Sequence, residues 1–394
     1  MTGQPGLAVA SVPAEAPCDD WVLPLSLEEP TRPLPSCIRW AERGLLLGFF
    51  YGLLLDRENL VDSTNRGDPE CSDADLVLHA YEDGGEAALS RLRGSFVIAI
   101  IDRKRGRAIL ARDPLGSHPL FYTEANSRIL FAASPQLLVD QPGVSRALNR
   151  AALADHLCYR WPDPCETYFA SVRRVPPGWR AIVSGGRLRL ERYWDPVPQD
   201  RPVEWLTDEE TARFDEVFDR AIDRCLRNGP TGIFLSGGLD SISVAAVATD
   251  RVRRMGQSPP WALSLGFPDP ECDERLLQAA VARDLGLPQH LVDFHEAVGM
   301  PPLFEQALGL TREFAAPMLN PWLPAYLGLA RRARLDGVRT ILTGNGGDEW
   351  LTVTPFLAAD LIRRGALMEL ARFYNVLRRS YPSPLLLARN LVFR

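Results

Sequence analysis

The distribution of apolar residues divides the chain into two parts that favour different kinds of secondary structure. Between residues 44 and 195, apolar runs of strand length alternate with turn residues, which indicates a mostly β region. One segment, 73–92, instead has helical spacing and is interrupted at Gly84 and Gly85. The clearest predicted strands of this part are 95–102, 107–113, 119–123 and 128–134.

The part of the chain beyond residue 205 alternates apolar strands with helical segments. Such alternation is typical of a doubly wound α/β domain with a parallel sheet. A proline-rich stretch at 195–204 separates the two parts, and residues 1–43 lack periodicity. We therefore predict an irregular segment at 1–43, one domain at 44–195 and a second domain at 205–394. The predicted strands of the second domain are 261–267, 290–294 and 339–344, and its predicted helices are 208–227, 273–285 and 322–335.

Residues 232–248 have a strand–turn–helix pattern with small hydroxylated residues in the turn. An apolar run ends at Leu235, the turn is Ser236-Gly237-Gly238, and Leu239-Asp240-Ser241 begins an apolar helix. Glycines let the backbone approach a phosphate, and the first turn of a helix offers unpaired N–H groups. The Asp240 carboxylate fits beside phosphates if Mg²⁺ lies between them. The alternative is an ordinary glycine turn before a helix, and the missing Gly-Lys-Ser/Thr excludes a Walker A loop.

The string SGGLDS at 236–241 resembles the SGGxDS loop of the N-type ATP pyrophosphatases, and the chain thereby resembles the asparagine synthetase family. This family includes β-lactam synthetases and lasso-peptide cyclases. The resemblance implies an ATP pyrophosphatase domain whose loop holds the pyrophosphate part of ATP. It implies nucleotide contacts at Leu235, Ser236, Gly237, Gly238, Leu239, Asp240, Ser241, Leu265, Thr343 and Gly344.

Two later segments extend this resemblance. Residues 264–294 follow the family's second nucleotide-binding stretch, in which an Asp-Glu pair opens a helix. Residues 341–350, ILTGNGGDEW, resemble the third stretch and place Asp348 where the family has a second magnesium carboxylate, the partner of Asp240. Asn345 stands where many asparagine synthetases carry glutamate, and an amide can orient a carbonyl or water but cannot act as a base. The resemblance thus implies Asp240, Asp348 and Asn345 as catalytic candidates, with Mg²⁺ on the two aspartates.

The N-terminal part resembles the glutamine amidotransferase domain of the same family. Residues 89–122 follow its conserved pattern, which includes the RDPLG turn. The resemblance implies a glutaminase-like αββα sandwich of the N-terminal-nucleophile type. Within it, Arg112, Asp113 and Gly116 are expected to shape a turn rather than to take part in chemistry.

Three departures from the family pattern bear on activity. Thr2 stands where the nucleophilic cysteine directly follows the initiator methionine, and GFFYG at 48–52 is the nearest counterpart of the Asn-Gly-Glu segment that binds glutamine. We therefore expect a degenerate domain without glutaminase activity. Lys104 is the only lysine, so the charge-stabilising lysine of the family has no counterpart. We also expect the chain to be either truncated or a shortened relative.

Composition narrows the class of protein further. The chain has 394 residues, a net charge of −6 and seven scattered cysteines. This charge gives no basic footprint for nucleic acid, and the cysteines predict reduced cytoplasmic thiols rather than disulfides or a zinc site. No secretory signal is recognised, and the apolar run 44–55 is too short to span a membrane. We predict that this run is a buried pair of strands and that the protein binds neither membranes nor nucleic acid.

These features predict an ATP-dependent, AMP-forming amide ligase that adenylates a carboxylate for attack by an amine. Its substrates would be a carboxylate and an amine of a small molecule or peptide, in some cases joined by cyclisation. An orthodox glutamine-hydrolysing asparagine synthase and a non-catalytic nucleotide-binding remnant are the two alternatives. A second copy of the chain and a protein that binds a precursor peptide are the partners considered.

Overall fold

A computed structural model describes most of the chain, which divides into two compact units. One unit is Met1–Cys225 with His295–Gly328, and the other is Leu226–Phe294 with Leu329–Arg394. The domain boundaries expected from the sequence remain predictions. The described residues are 22–23, 38–58, 60, 71–126, 128–160, 163–196, 206–313, 316, 320–347, 356–379 and 383.

The first unit contains two antiparallel sheets. Its strands are β1 (Val22–Leu23), β2 (Ile38–Arg43), β3 (Leu46–Leu55), β4 (Arg93–Asp102), β5 (Arg107–Arg112), β6 (Phe121–Ala125), β7 (Arg128–Ala132), β8 (Arg173–Arg174), β9 (Trp179–Ser184) and β10 (Arg187–Arg192). The larger sheet has six strands in the order β10-β9-β5-β4-β3-β2, and the smaller has four in the order β1-β7-β6-β8.

No helix in the described ranges combines the length and the apolar composition that crossing a bilayer requires. The α-helices of the described residues are α1 (Asp73–Gly84), α2 (Pro135–Val139), α3 (Arg150–Leu157), α4 (Asp208–Ala212), α5 (Phe214–Leu226), α6 (Leu239–Arg254), α7 (Arg275–Leu285), α8 (Phe294–Val298), α9 (Leu303–Glu313), α10 (Leu323–Leu335), α11 (Phe356–Arg363) and α12 (Leu367–Leu377).

The central strand β4 shows how the layers of the first unit are built. Successive side chains of a strand point to opposite faces of its sheet. Val97 lies in a core shared with Phe131 of the smaller sheet. The neighbouring Phe96 lies in a second core, shared with Leu78 of α1. The larger sheet is therefore covered by the smaller sheet on one face and by a helix on the other.

A second helix completes the sandwich on the far side of the smaller sheet. Leu138 of α2 packs with Leu130 of β7, on the face opposite to the one that carries Phe131. The order of layers is helix, sheet, sheet, helix. This order confirms the predicted αββα sandwich.

Two expectations for the start of this unit are wrong. The run 44–55 contains one strand, β3, rather than a pair, and β3 is hydrogen-bonded to β2 on one side and β4 on the other. Its residues are apolar without alternation because one face packs on α1 and the other faces the smaller sheet. Strands β1 and β2 lie inside the segment 1–43, so the expected irregular structure is wrong for residues 22–23 and 38–43.

A buried charged corner follows β5. The Asp113 carboxylate accepts hydrogen bonds from the backbone N–H groups of Phe96 at 3.3 Å and of Leu115 and Ser117 at 2.9 Å. The Arg112 guanidinium donates to backbone carbonyls, including that of Gly116 at 2.6 Å, and its burial lowers its pKa to about 10. The expectation that these residues shape a turn is confirmed.

The second unit contains a parallel sheet of four strands. Its strands are β11 (Thr231–Phe234), β12 (Trp261–Gly266), β13 (Gln289–Asp293) and β14 (Thr340–Leu342). Their order is β13-β12-β11-β14, and every neighbouring pair is parallel. The direction of winding therefore reverses between β11 and β14, as in a doubly wound sheet. Ligands of such sheets bind beyond the carboxyl ends of the strands at this reversal.

Candidate functional site

The loop after β11 lies at this reversal point. Leu235 still pairs with the sheet, because its N–H donates to the Leu263 carbonyl at 2.9 Å. Gly238 caps helix α6 with an extended backbone and no side-chain hydrogen bond, so Leu239 is the first helical residue. The first N–H groups of α6 consequently point toward the loop, where the positive end of the helix dipole favours an anion.

Two serine hydroxyls hold the 236–241 loop together, and this loop is called the serine loop below. The Oγ atoms of Ser236 and Ser241 lie 2.9 Å apart, and Ser241 Oγ also accepts from the Ser236 N–H at 3.1 Å. Ser236 Oγ accepts from the Gly238 N–H at 3.2 Å. Ser241 is buried, whereas Ser236 is exposed. Ser241 therefore fixes the turn from within, and Ser236 lies on its exposed side.

The third family stretch, residues 341–350, is called the third motif below. Its glycine turn at 344–347 lies directly against Asp240. A Cβ added at Gly347 would lie 2.3 Å from Cγ and Oδ2 of Asp240, and one added at Gly344 would lie 2.7 Å from the Ser241 nitrogen. The Gly347 N–H donates to the Gly344 carbonyl at 3.2 Å, which closes the loop into a tight turn. Only residues without a side chain allow this approach, so the two glycines bring the first and third motifs together.

The predicted partner of Asp240 follows this turn immediately. Asp348 comes directly after Gly347 in the sequence, but it lies outside the described residues. The pairing of Asp240 with Asp348 around a cation therefore stays a prediction. The structure places the backbone of Gly347, the residue before Asp348, beside the Asp240 carboxylate.

The remaining residues of the third motif lie on the same turn. Thr343 and Asn345 are exposed, and the Asn345 N–H donates to Thr343 Oγ1 at 3.4 Å. Their side chains stand at the carboxyl end of β14, beside the strand that carries the serine loop. Gly344 thus lies against the 236–241 loop, and Thr343 and Asn345 flank it on the same turn.

The three leucines predicted to contact a nucleotide differ in their exposure. Leu235 and Leu265 have buried side chains, whereas Leu239 is 79% exposed. Ser264 Oγ donates to the Leu235 carbonyl at 3.0 Å and joins the ends of β11 and β12. Leu235 and Leu265 therefore support the carboxyl edge of the sheet from inside.

The second stretch contributes one contact that sequence reasoning missed. Glu274 Oε2 accepts a hydrogen bond of 2.7 Å from the Gly237 N–H. The sequence identified Asp273 and Glu274 only as a pair that opens a helix, and α7 does begin at the next residue. The contact depends on the reach of a side chain between segments far apart in sequence, so no local signal indicates it.

The donor set of this edge fits a phosphate chain and its divalent cation. Hydroxyls, backbone N–H groups and a helix start are the groups that hold anionic oxygens, and a carboxylate is a typical Mg²⁺ ligand. A Cβ at Gly238 would meet only Ser236 Oγ within 4 Å, so the front of the loop is open. The described residues are therefore compatible with ATP and Mg²⁺.

Comparison with known proteins agrees with this geometry. Residues 213–391 match the asparagine synthase family, and residues 57–194 match a glutamine amidotransferase domain. The chain belongs to the asparagine synthetase family.

Individual relatives of this asparagine synthetase family member are distant. Asparagine synthetase [glutamine-hydrolyzing] 3 of Bacillus subtilis is 29% identical over 53% of the chain and 34% of its own length. Amidase chyE of Penicillium rubens is 29% identical over 74% of the chain and 44% of its own length. A putative asparagine synthetase of Mycobacterium bovis is 28% identical over 70% of the chain and 42% of its own length. The chain thus spans less than half the length of these relatives.

His290 lies at the amino edge of the parallel sheet, opposite to the edge that carries the 236–241 loop. His290 is near the amino end of β13, where its ring stacks on Trp261 with centroids 4.7 Å apart. Its Nε2 lies 2.7 Å from Asp336 Oδ2. His290 is therefore a packed residue at the amino edge, away from the serine loop.

Proposed function

We propose that the chain binds MgATP at the 236–241 loop and serves an amide-forming ligase. In this reaction a substrate carboxylate attacks the α-phosphate of ATP, so that an acyl-adenylate forms and pyrophosphate leaves. An amine then attacks the acyl carbon, and AMP leaves. The observation that carries the proposal is the contact of Asp240 with the glycine turn of the third motif, at the carboxyl edge of a parallel sheet.

Each part of the loop has a role in this proposal. Ser236 and the N–H groups of Gly237, Gly238, Leu239 and Ser241 bind and orient the leaving pyrophosphate. Asp240 and Asp348 are the residues that would hold Mg²⁺, which supplies positive charge against the phosphate oxygens.

The nucleoside and the acyl group would lie along the neighbouring strand ends. Thr343, Gly344 and the backbone at Leu235 and Leu265 would surround adenine and ribose. Asn345 would orient a carbonyl or a water, because its amide can donate and accept hydrogen bonds but has no charge.

We propose further that the first unit does not hydrolyse glutamine. Residues 48–52, the nearest counterpart of the glutamine-binding segment, lie inside strand β3. Phe49 and Phe50 are buried there and offer no polar side chain to an amide. Thr2, the counterpart of the nucleophile, lies outside the described residues. The amine is then supplied by a peptide, a small molecule or free ammonia.

The first test is a calorimetric titration of the chain with ATP, with Mg²⁺ and then with EDTA. We expect saturable binding with Mg²⁺ and much weaker binding without it, because two carboxylates beside phosphates repel each other unless a cation intervenes. No binding of ATP under either condition would contradict the proposal. Glutamine hydrolysis is measured in parallel, and we expect no release of glutamate.

One competing function is favoured by the names of the relatives. Two of them, from Bacillus subtilis and Mycobacterium bovis, are named as glutamine-hydrolysing asparagine synthetases, the second as a putative one. Formation of asparagine from aspartate and glutamine, with release of glutamate, would establish that function instead. Binding of ATP without any ATP–pyrophosphate exchange in the presence of candidate carboxylates would point to a nucleotide-binding remnant.

Replacing Gly347 by alanine is expected to weaken MgATP binding about tenfold, because overpacking of this kind costs about 1–3 kcal/mol. The added Cβ would lie 2.3 Å from the Asp240 carboxyl group and displace either the turn or the carboxylate. Calorimetric titration measures the effect. Gly309→Ala is the matched control, since a Cβ there meets no atom within 4 Å. Equal affinities for the two variants would show that the turn does not position Asp240.

A further inference from the structure

The carboxylate of Glu274 occupies a donor that the proposed function assigns to phosphate. Its Oε2 accepts from the Gly237 N–H at 2.7 Å, and a Cβ at Gly237 would lie 2.9 Å from its carboxyl carbon. Glu274 and the loop are both on the surface, and in the described part of the chain no cation pairs with this carboxylate. A negative group therefore lies in a loop built to receive one.

A fixed support holds Glu274 at this position. Arg275 Nε donates to both carboxylate oxygens of Asp273, at 2.8 and 2.9 Å, and its Nη1 donates to Asp293 at 2.9 Å. The hydrogen bond from Arg275 lowers the pKa of the Asp273 carboxyl, which keeps this bridge charged. A Cβ at Gly266 would lie 2.4 Å from Arg275 Cδ, so the arginine stem packs against the end of β12. The backbone that carries Glu274 is therefore anchored on both sides.

Glu274 does not cap its own helix, although it stands at the capping position. Its side chain makes no capping hydrogen bond to α7 and reaches across to the serine loop instead. The residues that ordinarily cap a helix with their side chains are Ser, Thr, Asp and Asn, not glutamate. The side chain is thus used to hold the loop of another element.

We propose that Glu274 is an internal competitor for the phosphate site, an inference that rests on the proposed function. One N–H cannot serve a carboxylate and a phosphate oxygen together, and the two anions repel each other. A triphosphate or pyrophosphate must therefore displace Glu274 before it contacts Gly237. Glu274 lowers the affinity of the loop for both, and it recaptures the N–H when pyrophosphate leaves.

The test is a calorimetric titration with pyrophosphate and with ATP, both in the presence of Mg²⁺. We expect Glu274→Gln and Glu274→Ala to lower the dissociation constants about fivefold, a modest change because the group is exposed and screened by water. Glu271→Gln is the matched control, since it removes the same charge three residues away on an exposed side chain that does not contact the loop. That variant should bind as the unchanged chain does.

The opposite role would give a different pattern. If Glu274 merely positions the loop, Glu274→Ala binds more weakly and Glu274→Gln is unchanged, and either result overturns the inference. If the unchanged chain binds pyrophosphate and ATP as the variants do, the inference fails and the proposed function stands. If neither the unchanged chain nor any Glu274 variant binds them, the proposed function fails as well. Thermal unfolding of each variant confirms that it is folded.

Discussion

Replacing Asp240 by alanine is expected to weaken MgATP binding roughly 100-fold, or by about 3 kcal/mol, because a cation site loses one of its charged ligands. The carboxylate lies in the first turn of α6 and against the glycine turn of the third motif. Asp240 is partly exposed, so its loss should leave the fold intact. The measurement is a calorimetric titration of the variant with ATP at saturating Mg²⁺, repeated with EDTA.

The control for this variant is Asp250→Ala. Asp250 lies on the same helix, is exposed, and pairs with Arg254 one turn away at 2.8 Å. Exposed pairs of this kind contribute about 0.3–0.5 kcal/mol, so this variant should bind MgATP normally. Unfolding of Asp240→Ala would mean that Asp240 is structural. Normal MgATP binding by Asp240→Ala would remove Mg²⁺ from the proposal.

Replacing Asp113 by alanine is expected to destabilise the first unit by about 4 kcal/mol. The completely buried carboxylate accepts from three backbone N–H groups and lies 3.3 Å from the Ser117 hydroxyl. Each buried donor left without an acceptor costs about 1–3 kcal/mol, and partial entry of water reduces the total. Urea unfolding, followed by tryptophan fluorescence, measures the change.

Two further variants bracket this effect. Asp113→Asn keeps one acceptor oxygen but turns an NH₂ group toward a backbone donor, so about half of the loss is expected. Asp140→Ala is the matched surface control, because Asp140 pairs with Arg146 in an exposed ion pair at 2.7 Å. Its loss should change stability by less than about 1 kcal/mol. A small effect of Asp113→Ala would mean that the turn can rearrange around other acceptors.

The sequence predicted the fold well where periodicity or a short motif determines it. The alternation of strands and helices beyond residue 205 indicated a parallel sheet, because crossover helices are needed to join parallel strands. The run 44–55 misled for a physical reason: strand β3 is covered on both faces, so the period of two residues that marks a strand is absent. Length alone did not distinguish one long strand from two short ones.

The candidate site was predictable to the extent that strand ends determine it. The motifs at 236–241 and 341–347 follow neighbouring strands of one parallel sheet, so they had to meet at the same edge. The approach of Gly347 to Asp240 follows from this placement together with the missing side chain. The contact of Glu274 with Gly237 was not predictable, because it depends on a side-chain conformation that crosses between two elements.

The paired hydroxyls of Ser236 and Ser241 have a thermodynamic consequence for ligand capture. A loop that is already rigid before a ligand binds loses little conformational entropy on binding. Such a loss of entropy otherwise opposes association. Preorganisation of this kind lets most of the interaction energy appear as binding affinity. It also favours ligands whose shape matches the loop as it stands before binding. In the proposed function, the two small side chains, 2.9 Å apart, would therefore act on selectivity through rigidity as well as through contact.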